Sequence, residues 1–242
     1  MRFTFEWYGD LVDRLLSKKF SFCGFNDCGA YEKCVIMRHD IDSSVAKALE
    51  LASLENEKGI GSTYFFLLNT EFYNVGAKDS REMIRQIHKM GHSIGLHFDE
   101  TIYPAADTSD DEKFEKIVMR ERDMLSAILD IEVDAVSMHR PSKGFLDRNM
   151  RFKEIVNAYQ QRFFNSEFKY LSDSRMRWRE NIDEIIADDR FDKLQILTHP
   201  FWYNEKEKTM EEALREFVEN AAVERYNALK ENFTALEDVF TL

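Results

Sequence analysis

Short apolar runs alternate with longer amphipathic segments along nearly the whole chain. Apolar residues at helical spacing predict helices at 5–18, from about 44 to 58, at 79–90, at 109–129 and at 210–231. Runs typical of buried strands lie between them, at 34–37, 62–68, 93–97, 135–139, 163–168 and 194–198. This repeated strand–helix order predicts an α/β fold with a parallel sheet covered by helices.

The alternation fits either a barrel or an open doubly wound sheet. No G-x-G-x-x-G or Walker-type loop follows a predicted strand, which disfavours the nucleotide-binding open sheets and favours the barrel. No linker rich in glycine, serine or proline interrupts the chain, so we expect residues 1–242 to form one domain that includes the N-terminal helix 5–18.

Composition and charge narrow the range of functions. The chain has 242 residues, of which 44% are hydrophobic and 32% charged, as in globular proteins. Its net charge of −12 argues against binding to nucleic acid or to anionic membranes. No apolar run is long enough to insert in a membrane, and the charged N-terminal segment lacks the apolar core of a secretory signal. We therefore expect a cytoplasmic protein.

Polar side chains collect where the predicted strands end. The first strand leads into Arg38-His-Asp-Ile-Asp42, a later one ends at His97, another at His139-Arg140, and the last at His199. Four of the six histidines lie at such ends. Because the carboxyl ends of parallel barrel strands meet at one face, this pattern predicts an active site there.

Each of these residues also has a purely structural interpretation. One of Asp40 and Asp42 could be an acid at a helix N-terminus. His97 could be a half-buried histidine bonded to backbone, His199 could end a strand before its proline, and Arg140 could pair with a carboxylate. The joint occurrence of all five at strand ends favours a functional site.

Taken in order, these segments resemble the NodB-homology polysaccharide deacetylases, which are carbohydrate esterase family 4. The resemblance spans about residues 35–203. It rests on RHDID, GIGSTYFF, GHSIGLH, Arg140-Pro141, Asp173 with Trp178, and LTHP in this sequence. It implies a distorted (β/α)7 TIM-like barrel of the NodB-homology type.

The resemblance also implies roles for individual residues. Asp42 and His97 would bind a divalent metal, zinc being expected, and Asp40 would be the general base. Arg140 would orient the base. His199 would donate a proton, and Asp173 would position that histidine. Substrate would be bound by His139, Trp178 and Trp202. The substrate would be a carbohydrate or sugar precursor carrying an N-acyl group.

One departure concerns the metal. The family places a second histidine four residues after the first, and here that position is Thr101. The third ligand could then be His39, Asp99, Glu100 or His139, and spacing does not choose among them. Two alternatives follow: a carbohydrate-binding protein without activity, or a hydrolase of another C–N or ester bond with an atypical or absent metal site.

Overall fold

A computed structural model describes residues 2–242. Its α-helices are α1 (Phe5–Ser17), α2 (Val45–Glu57), α3 (Lys78–Lys89), α4 (Ala105–Thr108), α5 (Asp111–Leu129), α6 (Lys143–Arg148), α7 (Ile182–Asp188) and α8 (Met210–Asn232). Its strands are β1 (Ser21–Phe22), β2 (Cys34–Ile41), β3 (Thr63–Leu67), β4 (Ser93–Phe98), β5 (Ala135–Met138), β6 (Val156–Asn157), β7 (Lys169–Ser172) and β8 (Lys193–Thr198).

All strand pairs are parallel. Seven strands form a path in the order β6-β5-β4-β3-β2-β8-β7, and β1 pairs with the start of β2. Within residues 2–242, no pairing joins β6 to β7, so the barrel is open on that side. The predicted α/β fold, a distorted TIM-like barrel, is confirmed.

Strand β2 shows how the sheet divides its side chains between two faces. All eight of its residues are buried. Ile36 packs with Phe65 in one apolar cluster, whereas its neighbour Met37 packs in another cluster on the helical side. Since successive strand residues face opposite sides, Arg38 and Asp40 continue the Ile36 face, and His39 lies against the helices.

Glycine at position 95 on β4 allows the interior to pack closely. A Cβ atom there would lie 2.4 Å from ring carbons of Phe65 and 3.1 Å from the carbonyl oxygen of Ala135. Only a residue without a side chain leaves room for this ring. Gly95 therefore sets how closely β4 packs against Phe65, and it lies two residues before His97 on the same face of the strand.

A buried carboxylate joins α2 to the outer face of the sheet. Glu55 accepts hydrogen bonds from Tyr8 of α1 (2.5 Å) and Tyr64 of β3 (2.7 Å), and it lies 3.0 Å from the Nε2 atom of His39. Burial alone would raise the pKa of Glu55, but His39 and the other donors lower it to about 2. The carboxylate is thus held in its charged form inside the protein.

One predicted strand is wrong. The segment at 163–168 forms a wide helical turn, Arg162–Ser166, and the strand lies after it at Lys169–Ser172. Phe163 and Phe168 are both buried, with ring centroids 5.5 Å apart. The apolar residues that suggested a strand here are therefore buried by a turn. In the described part of the chain, no helix combines the length and apolarity needed to cross a membrane.

Candidate functional site

A cavity of about 670 Å³ opens at the carboxyl ends of the strands. It is lined by His97, near the end of β4, and by Asp42, His139 and His199, which directly follow β2, β5 and β8. Asp40, near the end of β2, lies deeper in the same cavity and is buried. The parallel sheet therefore brings the predicted strand-end residues together.

Asp42, His97 and His139 form a tight triangle. The Oδ1 atom of Asp42 is 3.2 Å from the Nε2 atom of His97 and 3.2 Å from the Nδ1 atom of His139. The two ring nitrogens are also 3.2 Å apart. Three potential ligand atoms thus converge on one point.

This triangle fits a divalent metal ion. Tetrahedral ligands at about 2.0 Å from a first-row ion are roughly 3.3 Å from one another, close to the observed edges. The Oδ1 atom of Asp42 is buried and accepts no hydrogen bond from the described residues, so its lone pairs are available to an ion. Burial raises the pKa of Asp42, but His139 and His97 lower it more, which keeps the carboxylate charged.

The orientation of His97 also suits a ligand. Its Nδ1 atom lies 3.2 Å from the carbonyl oxygen of Ser137, which can only accept a hydrogen bond. The proton therefore belongs on Nδ1, and Nε2 presents a lone pair to the triangle. Metal-binding histidines commonly have such a backbone partner. These three residues could bind a divalent ion.

Asp40 is held by Arg38 rather than by Arg140. The guanidinium of Arg38 donates to both carboxylate oxygens of Asp40, at 3.0 and 2.8 Å, and the Ser137 hydroxyl donates at 3.1 Å. Burial would raise the pKa of Asp40, but Arg38 lowers it. Arg140 lines the cavity and forms no hydrogen bond or ion pair with Asp40 among the described residues.

His199 stands on the other side of Asp42 and is oriented by Asp173. Its Nδ1 atom is 2.7 Å from the Oδ1 atom of Asp173, and its Nε2 atom is 3.9 Å from the Oδ2 atom of Asp42. The hydroxyl of Tyr203 donates to Asp173 at 3.1 Å. Burial alone would lower the pKa of His199, but Asp173 raises it to about 9.

The two tryptophans predicted to bind substrate differ. Trp202 lines the cavity, together with Phe201. Trp178 is buried among apolar residues of another cluster, where its ring packs against Trp7 with centroids 5.9 Å apart. Trp178 is not among the residues that line the cavity, and its contact with substrate stays a prediction. Its side chain is part of the apolar core.

The other candidates for the third ligand lie elsewhere. His39 faces Glu55 and Thr198 behind the sheet. Asp99 accepts hydrogen bonds from Thr101, and Glu100 accepts one from the backbone of Ser142. Only His139 reaches Asp42 and His97.

Arg38 is the residue that the sequence analysis missed. Its signal was present, because Arg38 and Asp40 alternate along β2 and therefore share a face, and Asp42 directly follows that strand.

No protein-family model matches the sequence, and no curated protein matches it. Among solved structures, a family 4 carbohydrate esterase pseudoenzyme from Bacillus anthracis has 10% identity and a TM-score of 0.46, over 78% of this chain and 62% of that one. A polysaccharide deacetylase from Bacillus cereus has 14% identity and a TM-score of 0.46, over 74% and 93%. A mutant peptidoglycan deacetylase from Bacillus subtilis has 15% identity and a TM-score of 0.46, over 87% and 98%.

The chain thus spans less than two thirds of the length of the Bacillus anthracis protein. With TM-scores below 0.5, these similarities do not decide what the chain does. All three are proteins of the kind that the motifs resemble.

Proposed function

We propose that the protein is a cytoplasmic, metal-dependent hydrolase that removes an N-acyl group, such as acetyl, from a sugar or sugar precursor. One observation carries this proposal. The Asp42–His97–His139 triangle is flanked by the carboxylate of Asp40 and the imidazole of His199 within one cavity. A ligand set with a base and an acid beside it is what amide hydrolysis requires.

Carboxylate and imidazole ligands suit zinc or a similar first-row ion. A bound ion would polarise the acyl carbonyl and make a water molecule more acidic. Asp42, His97 and His139 would hold it and leave the cavity side open to substrate. Since the three ligands come from three strands, the sheet itself fixes their positions.

The neighbouring residues supply the proton transfers. Asp40, ionised beside Arg38, accepts the proton of water as the water oxygen bonds to the acyl carbon. The C–N bond then breaks, and the imidazolium of His199 donates its Nε2 proton to the leaving nitrogen. The products are a carboxylic acid and an amine, and Asp173, which accepts from Nδ1, keeps the His199 ring oriented for donation from Nε2.

A first experiment tests the metal site. Zinc is removed by chelation and restored by titration, and bound metal is measured in the wild type, in His139→Ala and in Thr101→Ala. We expect the wild type and Thr101→Ala to bind one ion, and His139→Ala to lose at least about 100-fold in affinity, since loss of an outer partner alone costs about 10–100-fold. Equal binding by all three proteins would show that His139 is not a ligand.

A second experiment tests the reaction. N-acetyl, N-formyl and O-acetyl sugars are offered to the zinc-loaded wild type and to Asp40→Asn. We expect release of acid from an N-acylated sugar and a fall of about 10² to 10⁴ in kcat for the variant. Metal binding with no turnover of any sugar would favour a carbohydrate-binding protein, and turnover of O-acetyl sugars alone would favour an esterase.

A further inference from the structure

Three arginines, Arg140, Arg175 and Arg179, line the cavity that contains the candidate metal site. Arg140 follows β5, and Arg175 and Arg179 belong to the segment after β7. These strands lie on the two arms of the open sheet, so the arginines approach the cavity from two elements. The mechanism proposed above uses none of them.

None of the three guanidinium groups has an ion pair or hydrogen bond within residues 2–242. The carboxylates in the cavity already have cationic or imidazole neighbours, since Asp40 pairs with Arg38 and Asp42 faces His97. The cavity therefore carries surplus positive charge, in a chain whose net charge is −12.

The backbone gives a second, independent observation. Arg140 has a φ of 49° and Arg175 a φ of 60°, in the left-handed region that favours glycine. In this conformation the backbone of a residue with a side chain is strained, and such strain clusters at ligand-binding sites. Six other residues with side chains share the conformation, so the strain counts here because Arg140 and Arg175 also line the cavity and neither guanidinium forms a hydrogen bond or ion pair in the described chain.

We propose that the substrate carries a phosphate or diphosphate group, which Arg140, Arg175 and Arg179 bind beside the reacting N-acyl sugar. This inference rests on the proposed function and names the substrate class of the same site. The guanidinium fork matches the oxygens of a phosphate in two parallel hydrogen bonds. A phosphate monoester carries about −1.5 to −2 charges at neutral pH, and a single carboxylate would leave most of the three positive charges unmatched.

The turnover test compares N-acetylglucosamine, its 1-phosphate, its uridine diphosphate derivative and an N-acetylated uronic acid. We expect kcat/KM for one of the two phosphorylated substrates to exceed that for the neutral sugar by at least about tenfold, and Arg175→Ala or Arg179→Ala to reduce that ratio about tenfold each. Arg177→Ala is the matched control, because Arg177 is exposed in the same segment and does not line the cavity. The better of the two phosphorylated substrates distinguishes a sugar phosphate from a nucleotide-linked sugar.

A binding test separates this proposal from the hydrolase itself. Inorganic pyrophosphate is titrated calorimetrically into the full-length wild type, Arg175→Ala, Arg179→Ala and Arg177→Ala proteins. Binding that needs Arg175 and Arg179 but not Arg177 supports the anion site, even if no sugar is hydrolysed. Hydrolysis with equal preference for neutral and phosphorylated sugars, preference for the uronic acid, or pyrophosphate binding indifferent to these arginines overturns it.

Discussion

At the scale of single residues, Arg38 decides whether a carboxylate can lie inside the barrel. Asp40 is buried, and an ion in that position is stable only if a partner of opposite charge satisfies it. The bidentate contact with Arg38 does this, and the ring of Tyr159 lies 4.4 Å from the guanidinium carbon. Asp40 therefore remains ionised, as the proposed general base must be.

This pairing gives a prediction about stability. Arg38→Met leaves Asp40 buried without its cation, and we expect a loss of about 3–5 kcal/mol in the free energy of unfolding. Arg140→Met is the matched control, because Arg140 is exposed and unpaired in the described chain, and its loss should stay within about 0.5 kcal/mol. Urea denaturation measures both values. A similar loss in the two variants would instead favour orientation of Asp40 by Arg140, the role that the resemblance implies.

At the scale of elements, strand pairing brings the third potential ligand, His139, beside the other two. His97 of β4 is paired with Ser137 of β5, and the backbone amide of His139 donates to the carbonyl of Phe98 at 2.7 Å. This register places the imidazole of His139 beside that of His97. His139, which directly follows β5, thus completes the triangle, and Thr101, four residues after His97, takes no part in it.

Packing within β4 gives a second prediction. In Gly95→Ala, the new methyl group collides with the ring of Phe65, which is enclosed and cannot move away freely. We expect a loss of about 1–3 kcal/mol in the free energy of unfolding, as for other overpacked cores.

The control for Gly95→Ala is Gly29→Ala, since no atom lies within 4 Å of a Cβ at that position. Its effect should remain within about 0.5 kcal/mol in the same urea experiment. If Gly95→Ala were as stable as the control, β4 would have room to shift, and the glycine would not be fixing the position of His97.

At the scale of the whole molecule, Glu55 connects the first helix, the second helix and two strands. Its folded-state pKa of about 2 lies below the value of about 4.5 for an exposed glutamate. The contribution of Glu55 to stability is therefore fully present above about pH 4.5, and it is lost as the pH falls from there towards about 2.

The third prediction concerns this acid range. Wild-type stability should fall between about pH 4.5 and 2.5 by an amount on the order of 2–3 kcal/mol that Glu55→Gln does not show, because glutamine does not titrate. Urea midpoints across this range measure the difference. Glu57→Gln, an exposed position on the same helix, should follow the wild type. Parallel pH profiles for all three proteins would contradict the role given to Glu55.

The sequence alone determined the α/β alternation, the strand-end location of the polar residues and the membership of Asp40, Asp42, His97 and His199 in one site. These follow from local periodicity and from the rule that parallel strands end on one face. It did not place the strand after Phe168, because a wide turn and a strand can both bury the same apolar residues.

Only the tertiary structure decided which residues touch. It chose His139 over His39, Asp99 and Glu100, replaced Arg140 by Arg38 beside Asp40, and put Trp178 in the core. Each of these outcomes depends on register between strands or on the direction of a side chain in space. The spacing of residues along one chain does not contain that information.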